Sequence, residues 1–298
     1  MIIFTGATGF VGEESVKQVR AAGHPVRAFV RDPRRASWLA KRYGAELFHG
    51  NVLYAPSIEG AMQGAKCVIH LVGIIREWRE NTFERAHVQA TKYVIDEAKK
   101  SGVKRFLHMS ALGTRENARS RYHQTKWAGE DLVRRSGLAW TIFRPSFIYG
   151  PKDVAINTLA KLVQRLPFVP VLGSGDTKIQ PISVENVARA FVGAIRNDES
   201  INQTYDLCGP EVFTWNQLYD KLQVILGTRK PKLHLPLPIA RIQAALTEKI
   251  LPNPPFTRDQ LLMLQEDNIG DPKPAERDLM LEQGSFEDGV ARYLKRTA

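Results

Sequence analysis

Two cysteines in 298 residues cannot staple a fold. Cys67 sits in an apolar run and Cys208 in a loop-like setting far from it, so a disulfide framework is excluded and a reducing compartment fits. The seven histidines form no HxxxH or HxH group, so we expect no metal site. No run of roughly 18 apolar residues occurs, which excludes a transmembrane helix. No basic-then-apolar leader is visible and the first apolar strand begins at residue 1, so we expect neither a leader nor secretion. Internal repeats and low-complexity tracts are absent as well.

Acidic residues are in deficit. There are 31 Asp and Glu against 42 Lys and Arg, a net charge of +11. That excess points to an acidic partner: nucleotide phosphates, an anionic membrane surface or an acidic protein face. Nucleic acid is disfavoured, because the basic residues are not interleaved with aromatics that bases could stack on. Part of the excess is local. Arg31, Arg34, Arg35, Lys41 and Arg42 stand against Asp32 alone, and a second basic stretch runs from 115 to 135. A hydrophobic content of 43% is ordinary for a globular chain. The length suits one large α/β domain, or a core domain with a smaller lobe.

What is present begins at the first residues. Met1-Ile-Ile-Phe-Thr leads into Gly6-Ala-Thr8-Gly9-Phe10-Val11-Gly12, a strand followed by GxxGxxG. This is the opening of a dinucleotide-binding βαβ unit: Gly6 for the tight turn, Gly9 for backbone approach to a pyrophosphate, Gly12 for close helix packing. The following helix N-terminus would offer free N–H groups to phosphates. A glycine-rich turn without ligand is the alternative, and the strand before it and helical pattern after it argue against that. Strands at Val26–Val30, 45–49, 67–72, 103–109 and 140–143 alternate with helices at 33–43, 57–63, 80–101 and 122–136. Such alternation implies a Rossmann-type, doubly wound parallel α/β sheet. Past residue 145 prolines cluster; helices are expected at 184–195 and 214–226, a strand at Gln203–Leu207, and an amphipathic piece at 239–251. We read 1–150 as the dinucleotide-binding domain and 151–298 as a smaller lobe that partly completes the sheet.

The end of the second strand selects the cofactor. Arg31 follows it directly, with Arg34 and Arg35 behind, and a guanidinium suits the 2′-phosphate of NADP. Asp32 is either the NAD-type ribose acid or the cap of the next helix with Pro33 at its first position. We favour the cap, and NADP(H) over NAD(H). The fifth strand ends in Met109-Ser110, and Tyr122 and Lys126 stand four apart on one helix face. An ammonium beside a phenol favours phenolate, so Tyr122 could serve as general acid/base, with Ser110 holding a substrate oxygen. The alternative is that Tyr122 and Lys126 only anchor cofactor or stabilise the helix.

TGATGFVG, Ser110, YxxxK and Arg144-Pro145-Ser146 together resemble the extended and atypical short-chain dehydrogenase/reductases, the NAD-dependent epimerase/dehydratase group. HMSALG, YHQTKWAGEDLVRRSGLAWTIFRPSFIYGPKD, QPISVENVARAF and PPFTRDQLLMLQEDN resemble most closely the NADPH-binding accessory subunits of respiratory complex I and their bacterial relatives. The resemblance implies cofactor contacts at Gly6, Thr8, Gly9, Phe10, Val11 and Gly12, at Arg31, Asp32 and Arg35, at Leu71, Val72 and Gly73, at Met109 and Lys126, and at Pro145, Phe147 and Ile148. It implies a catalytic Ser110, Tyr122 and Lys126. Asn51, with Val52 beside it, stands where many relatives carry an Asp that contacts adenine. The Ser-to-Tyr interval is shorter than in sugar-nucleotide epimerases, which weighs against a nucleotide-sugar substrate.

Three functions are compatible with these readings. One is an NADP(H)-binding protein with a redox or structural role like that of the complex I subunit. The second is a soluble reductase or nucleotide-sugar epimerase/dehydratase using Ser110, Tyr122 and Lys126. The third is a non-enzymatic NADP(H)-sensing or assembly factor. The basic surface and segment 230–256 would suit an acidic protein or an anionic bilayer. A cytoplasmic location is expected, with attachment at the inner face of a membrane as its variant.

Overall fold

The computed structural model describes residues 1–251 and 254–294. The chain divides into two compact units that interleave along the sequence. The first comprises Met1–Pro145, Val184–Leu207 and Pro272–Glu282; the second comprises Ser146–Ser183, Cys208–Asp271 and the stretch from Gln283. A single boundary at residue 150 therefore does not describe the organisation. The reason lies in the sheet, whose last strand arrives only at Gln203–Leu207.

That sheet has seven parallel strands. They are β1 (Ile2–Thr5), β2 (Val26–Val30), β3 (Glu46–His49), β4 (Cys67–His70), β5 (Arg105–Met109), β6 (Ala139–Pro145) and the edge strand Gln203–Leu207. Their spatial order is edge strand, β6, β5, β4, β1, β2, β3. Ile2 is registered between Val26 of β2 and Cys67 of β4. Every residue of β1 and of β4 is buried, as a strand covered on both faces requires. Strand order reverses at β1 and β4, so the switch point lies off their carboxyl ends, where α/β sheets place ligands.

Helices α1 (Phe10–Ala21), α2 (Ser37–Tyr43), α3 (Ala90–Lys100) and α4 (Arg121–Arg134) follow β1, β2, β4 and β5. α1 buries Val11, Val16 and Val19 at helical spacing. Its outer neighbour is the helix Val184–Arg196. The main core joins Ile3, Val68, Phe106 and Ile142 of the strands to Ala90, Val94, Ala98 and Val133 of the helices. Two sequence expectations change in form. The helix expected over 80–101 opens with a π-helical stretch, Glu84–Gln89, before α3. The helix expected over 57–63 is a short 3-10 turn, Ala55–Ile58, with Pro56 in its first turn.

The second unit has its own core. Ile156 and Val163 of helix Ala155–Arg165 meet Leu218 and Leu222 of Trp215–Ile225, with Val171, Phe286 and Val290. Thr214 caps Trp215–Ile225 through a reciprocal box with Gln217. The amphipathic piece is the helix Leu237–Ile250, which lays Ala240 and Ala244 on Leu261.

Candidate functional site

The three glycines do different work. Gly6 adopts φ +83°, and a Cβ there would press on Leu71 at 3.1 Å. A Cβ on Gly12 would stand 2.2 Å from the Gly6 carbonyl oxygen, so α1 reaches the loop only because Gly12 has none. Gly9 has ordinary extended backbone, and a Cβ would meet only Gly6 O at 3.3 Å. The fold itself therefore asks little of Gly9. Its bareness leaves Thr8 and Gly9 exposed ahead of α1, whose N-cap is Gly9 and whose first turn has no side-chain cap. Unclaimed N–H groups beside a bare backbone form a cradle that fits a phosphate. Phe10 is half-buried and Val11 buried at the start of α1.

Past β2, Asp32 is engaged by its own turn. Its Oδ1 accepts from the N–H groups of Arg34 (2.9 Å) and Arg35 (3.1 Å), and its Oδ2 lies 3.5 Å from Arg35 Nε. Asp32 thus caps the 33–36 turn, and α2 starts only at Ser37. Arg31 is exposed and has no hydrogen-bond or ion-pair partner among the described residues. Asn51 sits in the loop after β3, where its Oδ1 accepts from Leu53 N–H at 3.0 Å. That leaves its amide NH2 as the group able to reach a base. Val52 beside it is buried in the main core.

The segment after β4 meets α4. Leu71 N–H donates to Thr5 O at 3.0 Å, continuing the β1–β4 ladder. Val72 packs partly buried against the core, and Gly73 is exposed. A Cβ on Gly73 would come within 2.9 Å of Lys126 Nζ, so the loop passes the ammonium closely. Lys126 is 2% exposed, and its Nζ donates to Met109 O at 3.0 Å. Burial pulls its pKa down to about 8, against the opposing pull of Glu130. Ser110 follows Met109, is buried, and donates from Oγ to Thr114 Oγ1 at 3.4 Å. The backbone locks this corner to β6: Ser110 N–H donates to Phe143 O at 2.7 Å and Leu112 N–H to Pro145 O at 2.9 Å. Tyr122 is half-buried one turn before Lys126, its ring edge-on to Phe83 (5.8 Å), His87 (5.3 Å) and His123 (5.3 Å).

Thus the glycine loop, Arg31, Leu71–Gly73, Met109, Ser110, Tyr122, Lys126 and Pro145 all belong to the first unit, most of them at the carboxyl ends of its strands. Phe147 and Ile148 belong to the second. No metal-type cluster exists among the described residues. Both cysteines are buried and free, and burial raises the Cys67 thiol to about 12, leaving it inert.

Sequence reading missed two groups. His87, which lies within the helix expected over 80–101, is a tie between the cofactor-side loop and α4. Its Nε2 lies 3.1 Å from both the nitrogen and the oxygen of Ile74, and its Nδ1 lies 2.9 Å from Thr125 Oγ1. Burial, and then the Lys126 charge, hold it neutral far below the ordinary imidazole range. Beneath it His70 is bonded to Thr5 (2.6 Å) and Thr91 (3.1 Å) and stacks on His108 at 5.5 Å. The second group is Glu130, fully buried on α4. It accepts from Arg144 Nε (2.8 Å) and Nη2 (2.7 Å) and from Arg134 Nη2 (2.5 Å). Trp127 lies under both guanidiniums, at 4.7 Å from Arg134 and 5.8 Å from Arg144. Its YxxxK context drew attention to Lys126, while Glu130, one turn on, carries no motif.

A family model described as NAD(P)H-binding matches residues 6–198. NADH dehydrogenase (ubiquinone) 1 alpha subcomplex subunit 9, mitochondrial, of Arabidopsis thaliana is 32% identical over 278 residues, covering 89% of this chain and 69% of that protein. Ceramide reductase of Caulobacter vibrioides is 29% identical over 249 residues, covering 83% and 77%. Among solved structures, UDP-glucuronic acid 4-epimerase of Bacillus cereus, in complex with UDP-glucuronic acid and NAD, superimposes with TM-score 0.76 at 18% identity, covering 100% of this chain and 99% of that one. At that identity the likeness is one of fold.

Proposed function

This chain belongs to the NAD(P)H-binding family, and on that premise we propose that it holds NADP(H) in preference to NAD(H) and uses it for redox chemistry on a carbonyl or alcohol carbon. The observation that carries the preference is at the end of β2. The acid that would hold ribose hydroxyls is committed to its own turn, while the neighbouring guanidinium of Arg31 is exposed and unpaired among the described residues. A fork of that kind matches a phosphate. Gly6, Thr8, Gly9 and the first turn of α1 would hold the pyrophosphate, Leu71–Gly73 and Lys126 the ribose side, and Asn51 the base.

A bound nicotinamide supplies or accepts a hydride. The chain's own residues handle the proton. Tyr122 holds it on the phenol oxygen and gives it to the substrate oxygen in reduction, or takes it in oxidation. Lys126 places a positive charge one turn away, which favours phenolate. Ser110 donates a hydrogen bond to the substrate oxygen. His87 and Phe83 hold the Tyr122 ring edge-on and narrow its rotation.

A second reading rests on the mitochondrial relative: the same residues hold NADP(H) as a fixed part of an assembly, without turnover. Tyr122→Phe separates the two. With NADPH and a panel of small carbonyl compounds, the redox reading expects turnover in the wild type and a loss of about a hundredfold in the variant, with NADPH affinity unchanged. Absence of turnover across the panel, or equal turnover in the variant, contradicts it and favours the held cofactor.

A further inference from the structure

The helix Leu237–Ile250 is apolar on two faces. One face is accounted for: Ala240 and Ala244 are buried on Leu261. The other is not. Ile239, Ile242, Leu246 and Ile250 are 62%, 64%, 60% and 75% exposed. Their spacing of three, four and four residues sets them in one stripe along the helix. Scattered exposed aliphatics are common on protein surfaces, but four in register on one helix are not.

The sequence running through this helix is rich in basic residues, and the first acid after it, Asp259, opens the helix that packs on it. From 227 to 258 the sequence carries Arg229, Lys230, Lys232, Arg241, Lys249 and Arg258 against the single acid Glu248. Glu248 is itself paired with Arg258 at 2.8 Å, and Lys232 with Asp220 at 2.7 Å. Lys230 donates to the neutral carbonyls of Val163, Gln164 and Leu166, and among the described residues no acid pairs with it. Among the described residues Arg241 likewise bonds the neutral Gln265 and no acid, and Arg229 is exposed.

We infer that this helix lies flat in the headgroup region of an anionic bilayer, its aliphatic stripe inserted and its basic neighbours on the lipid phosphates. A second copy is a poor occupant. One stripe of four side chains offers less than the roughly 800 Å² per partner of a standard interface, and pairing would bring like charges together on a chain of net charge +11. A bilayer needs no shape complementarity, and basic charge beside an exposed aliphatic stripe is what it selects. No helix among the described residues is long and apolar enough to cross a membrane, so the contact is peripheral. The inference is independent of the cofactor reading.

The test is co-sedimentation of the full chain with vesicles of equimolar phosphatidylcholine and phosphatidylglycerol, or of phosphatidylcholine alone. The expected result is binding to the anionic vesicles at low salt, weakened at high salt, and little binding to the neutral ones. Ile242→Glu and Leu246→Glu should each lower the bound-to-free ratio about tenfold while leaving melting temperature and NADPH affinity as in the wild type. Wild-type protein that stays in solution with anionic vesicles overturns the inference. So does binding that both variants retain, since another basic surface would then be responsible. A concentration-dependent dimer abolished by these variants, without vesicle binding, would assign the stripe to a second copy instead.

Discussion

Lys126→Met should make the ligand-free protein more stable at neutral pH, and less able to bind NADPH. Lys126 is buried, and burial holds its pKa at about 8 against 10.5 for an ordinary lysine. Below pH 8 both folded and unfolded chains carry the proton, and the fold bears the full cost of a buried ammonium. Between about 8 and 10.5 the unfolded chain still holds a proton that the folded chain has released, so stability rises with pH across that window. The full difference corresponds to about 3 kcal/mol. Losing the bond to Met109 O returns about 1 kcal/mol of it, so a net gain of about 2 kcal/mol is expected near neutrality. Urea unfolding of the wild type and variant across pH checks this. The gain should shrink as pH rises through the window, and NADPH affinity should fall at least about tenfold at all pH values. A variant less stable than the wild type at neutral pH contradicts the assignment of a charged, strained lysine.

Glu130→Leu should be among the most damaging single changes in the first unit, at about 3–5 kcal/mol. Glu130 is fully buried and satisfies two guanidiniums at once, both of them packed against Trp127. Removing it strands the positive charge of Arg144, whose side chain is only 20% exposed. The loss therefore reflects an uncompensated cation more than a lost attraction. The double variant Glu130→Leu, Arg144→Met should recover much of the stability, which a thermal melt would show as a midpoint between the wild type and the single variant. Glu130 also supports the Lys126 charge, so its removal should lower the Lys126 pKa further. Additive losses in the double variant would rule out this coupling.

Local signals explain what was legible in the sequence. The three glycines, the apolar strand before them and the Tyr122–Lys126 spacing are short-range patterns, and a parallel α/β sheet follows from strand–helix alternation. Asp32 was readable as a cap because it bonds its own neighbours. What escaped depends on contacts distant in sequence. His87 meets Ile74 and Thr125 only after β4 and α4 are in place, and it is carried by a π-helical stretch that no apolar periodicity announces. Glu130 finds Arg144 across 14 residues, on the strand after its helix. The interleaving of the units, too, is set by the pairing of Gln203–Leu207 with β6.

Calorimetric titration of the wild type and Arg31→Ala with NADPH and with NADH tests the cofactor preference at its source. NADPH should bind the wild type at least about tenfold more tightly than NADH, and the variant should lose that preference while keeping its NADH affinity. NADH binding as tightly as NADPH to the wild type, or a preference unchanged in the variant, would contradict the role given to Arg31 and return Asp32 to the ribose.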